Sequence, residues 1–224
     1  GLLLPVKETF SPLGFGWLDS IQSSTQQAIF EKLKFHQYKK NEFVHYHGEE
    51  ANGLYFVKQG IIRIKKQDEA GKELIIKDLL RGEWFGFIGC FGSGKRPNDA
   101  LAIEESLIGQ LSSKDLNLLI KQDPQLTLSI ANLLAGYVEH YNRSFENAVF
   151  LPLNERLNTL LLQLSRWQKS SELNVSQQEL AGMLGVTKKA IVINLNLLKT
   201  QDVIEIGYRK IIYKPQAHKL SEQG

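Results

Sequence analysis

The sequence predicts an α+β chain: a β-roll, then one long helix, then a winged helix-turn-helix. Three observations carry the prediction. Between Glu42 and Leu79, short β-rich runs are punctuated by glycine, the pattern of a roll or barrel. After Asp123-Pro124 a helical pattern runs unbroken to Val149, roughly 26 residues or about 39 Å at 1.5 Å per residue. From Ser176 to Ile191 the chain spells a capping box, a small residue and a turn glycine in order, with a hairpin sequence behind them.

At 224 residues, the chain lies between one and two domains on a prior of about 100 to 200 residues each. The expected division is a roll over 1–122, a long helix over 123–150 and the winged helix over 151–224. With 42% hydrophobic and 23% charged residues it can bury a core, which excludes a disordered chain. No run approaches the roughly 18 apolar residues of a membrane span, and Leu2-Leu3-Leu4 is too short for a signal-peptide core. A cytoplasmic protein with no membrane partner is expected. The one cysteine, Cys90, excludes an internal disulfide, a four-thiolate zinc site and an iron-sulfur cluster held by the chain's own thiolates. Residues 1–150 hold 17 basic against 18 acidic side chains and residues 151–224 hold 10 against 6, so the net charge of +3 divides as −1 and +4. A polyanion should therefore meet the C-terminal part.

The elements follow in order. Ser24 can cap a short helix to Leu33, the one element expected before Asn41. Strands are expected at Glu42 to Tyr46, Gly53 to Val57, Ile61 to Ile64 and Leu74 to Leu79, with Asp68 to Lys72 as a hairpin loop between the last two. Leu111 to Ile120 reads as a helix leaving the roll. Asp123 caps the long helix and Pro124 takes its first position, where the missing N–H costs nothing. That helix carries two apolar stripes. Leu126, Ile130, Leu133 and Tyr137 form one; Leu134, Val138, Tyr141, Phe145 and Val149 form the other. A helix apolar on two faces covers two surfaces, its own roll and a second copy of the chain. The first stripe is assigned here to the homodimer. Asn154 to Trp167 is an amphipathic helix. Ser176 and Glu179 then form the capping box, Ala181 allows close packing, Gly185 supplies the turn, and Thr187 caps a helix to about Thr200. Ile204 to Ile206 and Ile211 to Tyr213 flank Gly207-Tyr208-Arg209-Lys210 as the wing.

Several motifs read as decoys. Gly89 to Arg96 nearly spells a phosphate-binding loop, but Arg96 stands where a hydroxyl must hold magnesium, and Pro97 blocks the helix that would follow. A hairpin tip fits better. His45 and His47 share one strand face, as in cupin metal sites, yet Ala51 occupies the place of the needed glutamate. Cys90, between Gly89 and Phe91, reads as a small packing residue. Trp17, Trp84 and Trp167 are too dispersed for a stacking platform. Phe85, Phe87, Phe91 and Tyr141 either line a pocket or fill the roll.

The order of parts resembles the Crp/Fnr family. Gly48-Glu49 and Leu54-Tyr55-Phe56-Val57 with Gly60 resemble its early roll signature. Arg81-Gly82-Glu83-Trp84-Phe85-Gly86 resembles the segment entering its effector pocket. The resemblance implies a homodimeric transcription regulator with no enzymatic activity, a cyclic-nucleotide-binding-like roll of the double-stranded β-helix type, double-stranded DNA as ligand, and RNA polymerase as a further partner. The implied pocket comprises Phe85, Gly86, Phe87, Arg96, Asn98, Tyr141 and Asn142. Departures from the pattern bear on the effector. Cyclic-nucleotide binders place Gly-Glu at the ribose and Arg-Ser/Thr-Ala at the phosphate, whereas this chain has Gly86-Phe87 and Arg96-Pro97-Asn98. An unknown small molecule, not cyclic AMP, is the expected effector. The histidines His36, His45, His47, His140 and His218 identify no haem ligands.

For DNA the implied contacts are Ser176, Gln177, Thr187, Lys188, Lys189, Val192, Ile193 and Asn196, with Arg209 and Lys210 on the wing. Where the cyclic AMP receptor has an Arg-Glu pair and a second Arg, this chain has Lys188, Lys189 and Ile193. The carboxylate for cytosine and the bidentate forks for guanine are gone, so half-sites richer in A·T are expected, about one helical turn apart. The competing readings are a cupin-like metalloenzyme fused to a winged helix, and a winged helix that docks protein.

Overall fold

The structure is a computed structural model that describes residues 16–214. His218 and the opening leucines lie outside the described residues. These residues fall into two compact units, 16–66 with 77–142, and 67–76 with 143–214.

Helix α1 (Ser23–Glu31) opens the first unit and buries Thr25 and Ile29. Gln22 is its N-cap without a side-chain bond, so Ser24 lies inside the helix and does not cap it. A strand absent from the sequence reading follows, β1 (Lys34–Tyr38), paired antiparallel with β8 (Ser106–Ser112) from Lys34 opposite Gln110 to Tyr38 opposite Ser106. Four of its five residues are exposed, so it lacks the apolar alternation that marks a strand.

The roll continues through β2 (Phe43–His45), β3 (Gly53–Gln59), β4 (Ile62–Gln67), β5 (Glu73–Leu79), β6 (Trp84–Phe85), a short helix α2 (Phe87–Phe91) and β7 (Asp99–Ala102). Two four-stranded sheets result, in the orders β1-β8-β3-β6 and β2-β7-β4-β5. Alternate residues point inward, and Tyr55, Val57, Ile62, Leu79, Phe85, Ala100, Ala102 and Ile108 make one core between the sheets. The Asp68 to Lys72 hairpin forms as expected: Asp68 N–H donates to the Lys72 carbonyl at 2.9 Å, and Lys72 N–H to Asp68 Oδ1 at 2.7 Å. Helix α2 replaces part of the expected hairpin tip. Leu111, expected in a helix, lies in β8 with its side chain fully buried; the strand ends at Ser112, which caps helix α3 (Ser113–Gln122).

Helix α4 spans Gln125–Phe150. Pro124 stands just before the helix and not at its first position; Asp123 still meets the helix start, its Oδ1 accepting from Gln125 N–H at 3.2 Å, and its other oxygen accepts from the Thr25 hydroxyl at 2.7 Å. The two stripes are distributed opposite to the sequence assignment. Leu126, Ile130 and Tyr137 are buried and Leu133 is half-buried, so the stripe assigned to a partner is filled by the chain's own core. Val138, Phe145, Val149 and Phe150 are exposed. Helical period alone shows that a second face exists; only the fold shows which face it is.

The second unit holds α5 (Leu153–Gln168), β9 (Glu172–Leu173), α6 (Gln177–Leu184), α7 (Lys188–Thr200), β10 (Ile204–Gly207) and β11 (Lys210–Tyr213). Strands β10, β11 and β9 form an antiparallel sheet in that order, so the segment between α5 and α6 contributes an edge strand. Leu157, Leu160, Leu161 and Leu164 of α5 pack with Leu180, Ile191, Leu195, Leu198, Ile204 and Tyr213 in one core. No single described helix is long and apolar enough to cross a membrane.

Candidate functional site

The first site is the face of α7. Ser176 Oγ accepts from Glu179 N–H at 2.9 Å and Glu179 Oε1 accepts from Ser176 N–H at 3.1 Å, the reciprocal capping box read in the sequence. Gly185 turns the chain at φ 67°, a left-handed conformation that suits glycine, and α6 and α7 meet at 104°. Thr187 Oγ1 accepts from Ala190 N–H at 3.1 Å, starting α7. Ile191, Leu195 and Leu198 are buried, which rotates Lys188, Lys189, Val192, Ile193 and Asn196 to solvent. Thr187 is exposed beside them, Gln177 is half-buried, and the Ser176 hydroxyl is committed to its cap.

The wing turns at Tyr208 and Arg209, with Arg209 at φ 55° and its guanidinium 5.2 Å from the Tyr208 ring. Arg209 and Lys210 are exposed, and Lys210 Nζ lies 3.7 Å from Glu172 Oε1. Tyr208 is the most exposed large apolar side chain among the described residues, at 86%. The sequence reading did not assign it a role, although an aromatic at the tip of a predicted hairpin is the signal that would have found it.

The second site is a cavity of about 60 Å³ within the roll. Phe85, Gly86, Phe87, Arg96, Asn98 and Tyr141 line it as predicted. Asn142 is not among the lining residues, and Phe91 is exposed and also stands outside. His45, Lys77 and Tyr137 line it without having been predicted. For Lys77 the signal was present: it sits between Ile75 and Leu79 at inward positions of a period-2 strand, where a cation is out of place.

Arg96 is 1% exposed. Its Nη1 donates to the Gly86 carbonyl at 3.2 Å, and its Nη2 donates to the Gly53 carbonyl at 2.8 Å and Asn52 Oδ1 at 3.4 Å. The guanidinium lies 5.1 Å from the Tyr55 ring, and Nε has no partner among the described residues. Gly86 sits at φ 102°, and a Cβ there would come within 2.8 Å of Arg96 Nη1. Arg96 therefore works as a strut tying backbone carbonyls together.

His45 is buried beside it. Burial, then the Arg96 charge, hold its pKa down at about 3 against a backbone hydrogen bond at Asn98, so the ring is neutral at pH 7. Lys77 is pulled down to about 8 by burial, partly countered by the Glu83 carboxylate. Burial in turn raises Glu83, although Lys77 and the Leu80 N–H, at 2.7 Å, favour its charge.

The decoys fall apart in three dimensions. Lys95 Nζ is 3.6 Å from Glu50 Oε1, and Arg96 points inward, so the loop-like run builds no phosphate cradle. Cys90 is half-buried with Sγ 3.3 Å from the Gly53 carbonyl. His45 is buried while His47 is exposed, and among the described residues no three His, Cys, Asp or Glu side chains are grouped to hold a metal ion. Trp17 packs edge-on against Trp84 at 5.5 Å, and Trp167 packs on the second core.

Residues 35–123 match the cyclic nucleotide-binding domain family, and residues 155–222 match the Crp-like helix-turn-helix domain family. The cAMP-activated global transcriptional regulator CRP of Pasteurella multocida is 25% identical over 195 residues, covering 84% of this chain and 93% of the relative. Among solved structures, the c-di-GMP responsive global regulator CLP of Xanthomonas campestris aligns with a TM-score of 0.76 at 20% identity, over 86% of this chain and 99% of that one. A transcriptional regulator of the Crp/Fnr family from Eubacterium rectale aligns with a TM-score of 0.77 at 16% identity, over 93% and 98%. A cyclic-nucleotide-binding-like roll joined in order to a capped helix-turn-helix and wing places this chain in the Crp/Fnr family of sequence-specific DNA-binding transcription regulators.

Proposed function

We propose that this chain acts as a homodimer that lays α7 of each copy in the major groove of double-stranded DNA, with the roll cavity as its effector site. The observation that carries the reading is the division of α7: one side is wholly buried, while the other offers Lys188, Lys189, Val192, Ile193 and Asn196 beside the basic wing. Lysine supplies phosphate attraction, and Val192 and Ile193 supply apolar contact suited to thymine methyls, so half-sites are richer in A·T than those of the cyclic AMP receptor. The partner copy binds along Leu134, Val138, Tyr141, Phe145 and Val149, apolar positions that share the second α4 stripe. RNA polymerase is the further partner, consistent with relatives named as transcriptional regulators.

Cyclic AMP is not the effector in this reading. Arg96 spends its Nη donors on backbone carbonyls, Pro97 has no N–H to give a phosphate, and Phe87 stands in place of the ribose carboxylate. Selection of bound duplexes from a random pool tests the whole. Palindromic half-sites rich in A·T, about one helical turn apart, are the expected result. Enrichment of the receptor's G·C-anchored half-site would overturn the readout, and enrichment of no sequence would favour a protein-docking winged helix.

A further inference from the structure

The wing ends in an aromatic and a cation whose arrangement the α7 contacts do not explain. Gly207 pairs with Lys210 across the hairpin, so Tyr208 and Arg209 alone form its tip. Tyr208 is 86% exposed, more than any other large apolar side chain among the described residues. Arg209 holds φ 55°, a left-handed conformation that glycine takes at no steric cost, yet the sequence places a long cation there. Among the described residues Arg209 makes no ion pair, and its guanidinium lies 5.2 Å from the Tyr208 ring. Lys210, by contrast, is drawn to the neighbouring strand β9, with Nζ 3.7 Å from Glu172 Oε1. The wing therefore leads with a ring and the guanidinium held against it. The hairpin is fixed to α7, because Ile204, Ile211 and Tyr213 share one core with Ile191, Leu195 and Leu198. With α7 in a major groove, the tip sits at a set offset from it.

We propose that Tyr208 and Arg209 enter the minor groove beside the α7 contact and select A·T base pairs there by groove width. The inference rests on the proposed DNA reading and adds a second specificity element to it. A·T tracts narrow the minor groove and deepen its negative potential, which draws a guanidinium, a group more weakly hydrated than an ammonium. Tyr208 orders the guanidinium before binding, so less side-chain freedom is lost in the groove, and its apolar ring packs against the deoxyribose wall. In a G·C pair the guanine N2 amino group projects into the same groove and opposes this fit. The selected bases lie about half a helical turn, roughly five base pairs, from the centre of the α7 contact.

The test uses the full chain and the duplex it enriches from a random pool, with the flanking base pairs remade as A·T, G·C or inosine·cytosine. Inosine·cytosine presents the major-groove edge of G·C but, lacking the N2 amino group, the minor-groove edge of A·T. In gel-shift titrations A·T and inosine·cytosine flanks should bind alike, about tenfold more tightly than G·C flanks. Tyr208→Ala and Arg209→Gly should each reduce that preference to about twofold or less, while the half-site read by α7 is still selected. Glycine suits the left-handed turn, so the urea midpoint of Arg209→Gly should match or exceed the parent's, which separates loss of readout from loss of the wing. Inosine·cytosine flanks that bind like G·C, a preference that survives either variant, or a Tyr208→Ala chain weakened equally on all flanks overturns the proposal. Half-site selection with indifferent flanks removes this inference and leaves the DNA reading standing; a chain that enriches no duplex removes both.

Discussion

Replacing Phe145 by Ala should separate association from folding, because the two stripes of α4 do different work. Phe145 is 70% exposed and Ile130 only 3% exposed within one chain. Covering the exposed share of a phenylalanine is worth about 1.5 to 2 kcal/mol, and a two-fold interface holds two copies, so Phe145→Ala weakens the dimer by about 3 kcal/mol. That is roughly two orders of magnitude in the dissociation constant. The monomer's own fold loses almost nothing, since the ring makes little of the core. Ile130→Ala should behave in the opposite way, costing about 3 kcal/mol of folding stability through the cavity it leaves, with the exposed stripe unchanged. Sedimentation equilibrium measures the first effect, and urea denaturation at fixed protomer concentration the second. A Phe145→Ala chain that associates as tightly as the parent would refute the assignment. So would an Ile130→Ala chain that folds with full stability but no longer dimerises.

Three further outcomes are expected. Arg63 grips Asp78 through two hydrogen bonds of 2.7 and 2.9 Å at a site where both side chains are largely buried. Burial would raise the Asp78 carboxyl, but the Arg63 bonds win and hold it below its ordinary value. The pair's stabilisation is therefore present above an unfolded value of about 3.9 and is lost as pH falls through the lower folded one. Asp78→Asn should cost about 3 kcal/mol at pH 7, with the gap to the parent in urea midpoints closing below pH 4; a constant gap would contradict the assignment. On DNA, Ile193→Arg should shift selection toward guanine at one position, whereas Lys210→Ala should weaken all sequences alike and reduce the salt slope by about one. Cyclic AMP should neither bind in the micromolar range nor change DNA affinity, because losing two buried partners of a phosphate costs about 1 to 3 kcal/mol each; tight binding by calorimetry would show that Arg96 is freed from its carbonyls.

The sequence by itself determined the elements whose signals are local. The Ser176 and Glu179 box, Gly185 and Thr187 act within one turn of chain, so the helix-turn-helix and the exposed side of α7 were legible residue by residue. The order of roll, long helix and wing was equally plain, and six of the seven pocket residues it pointed to line the cavity. What tertiary structure decided is whatever depends on partners distant in sequence. Strand β1 has no apolar alternation and exists because β8, about 70 residues away, supplies its ladder. The two stripes of α4 have the same period, and only the position of the roll core shows that Leu126, Ile130 and Tyr137 are taken and Val138 and Phe145 are open. Arg96 reads as an anion site along the chain and becomes a strut because Gly53 and Gly86 bring carbonyls to it. Lys77 shows as one misplaced charge in a strand, yet the cavity it lines also takes His45, Phe87, Arg96 and Tyr137 from elements distant along the chain. Periodicity tells each residue which side of its own element it occupies, but charge compensation and burial depend on what the fold brings against that side.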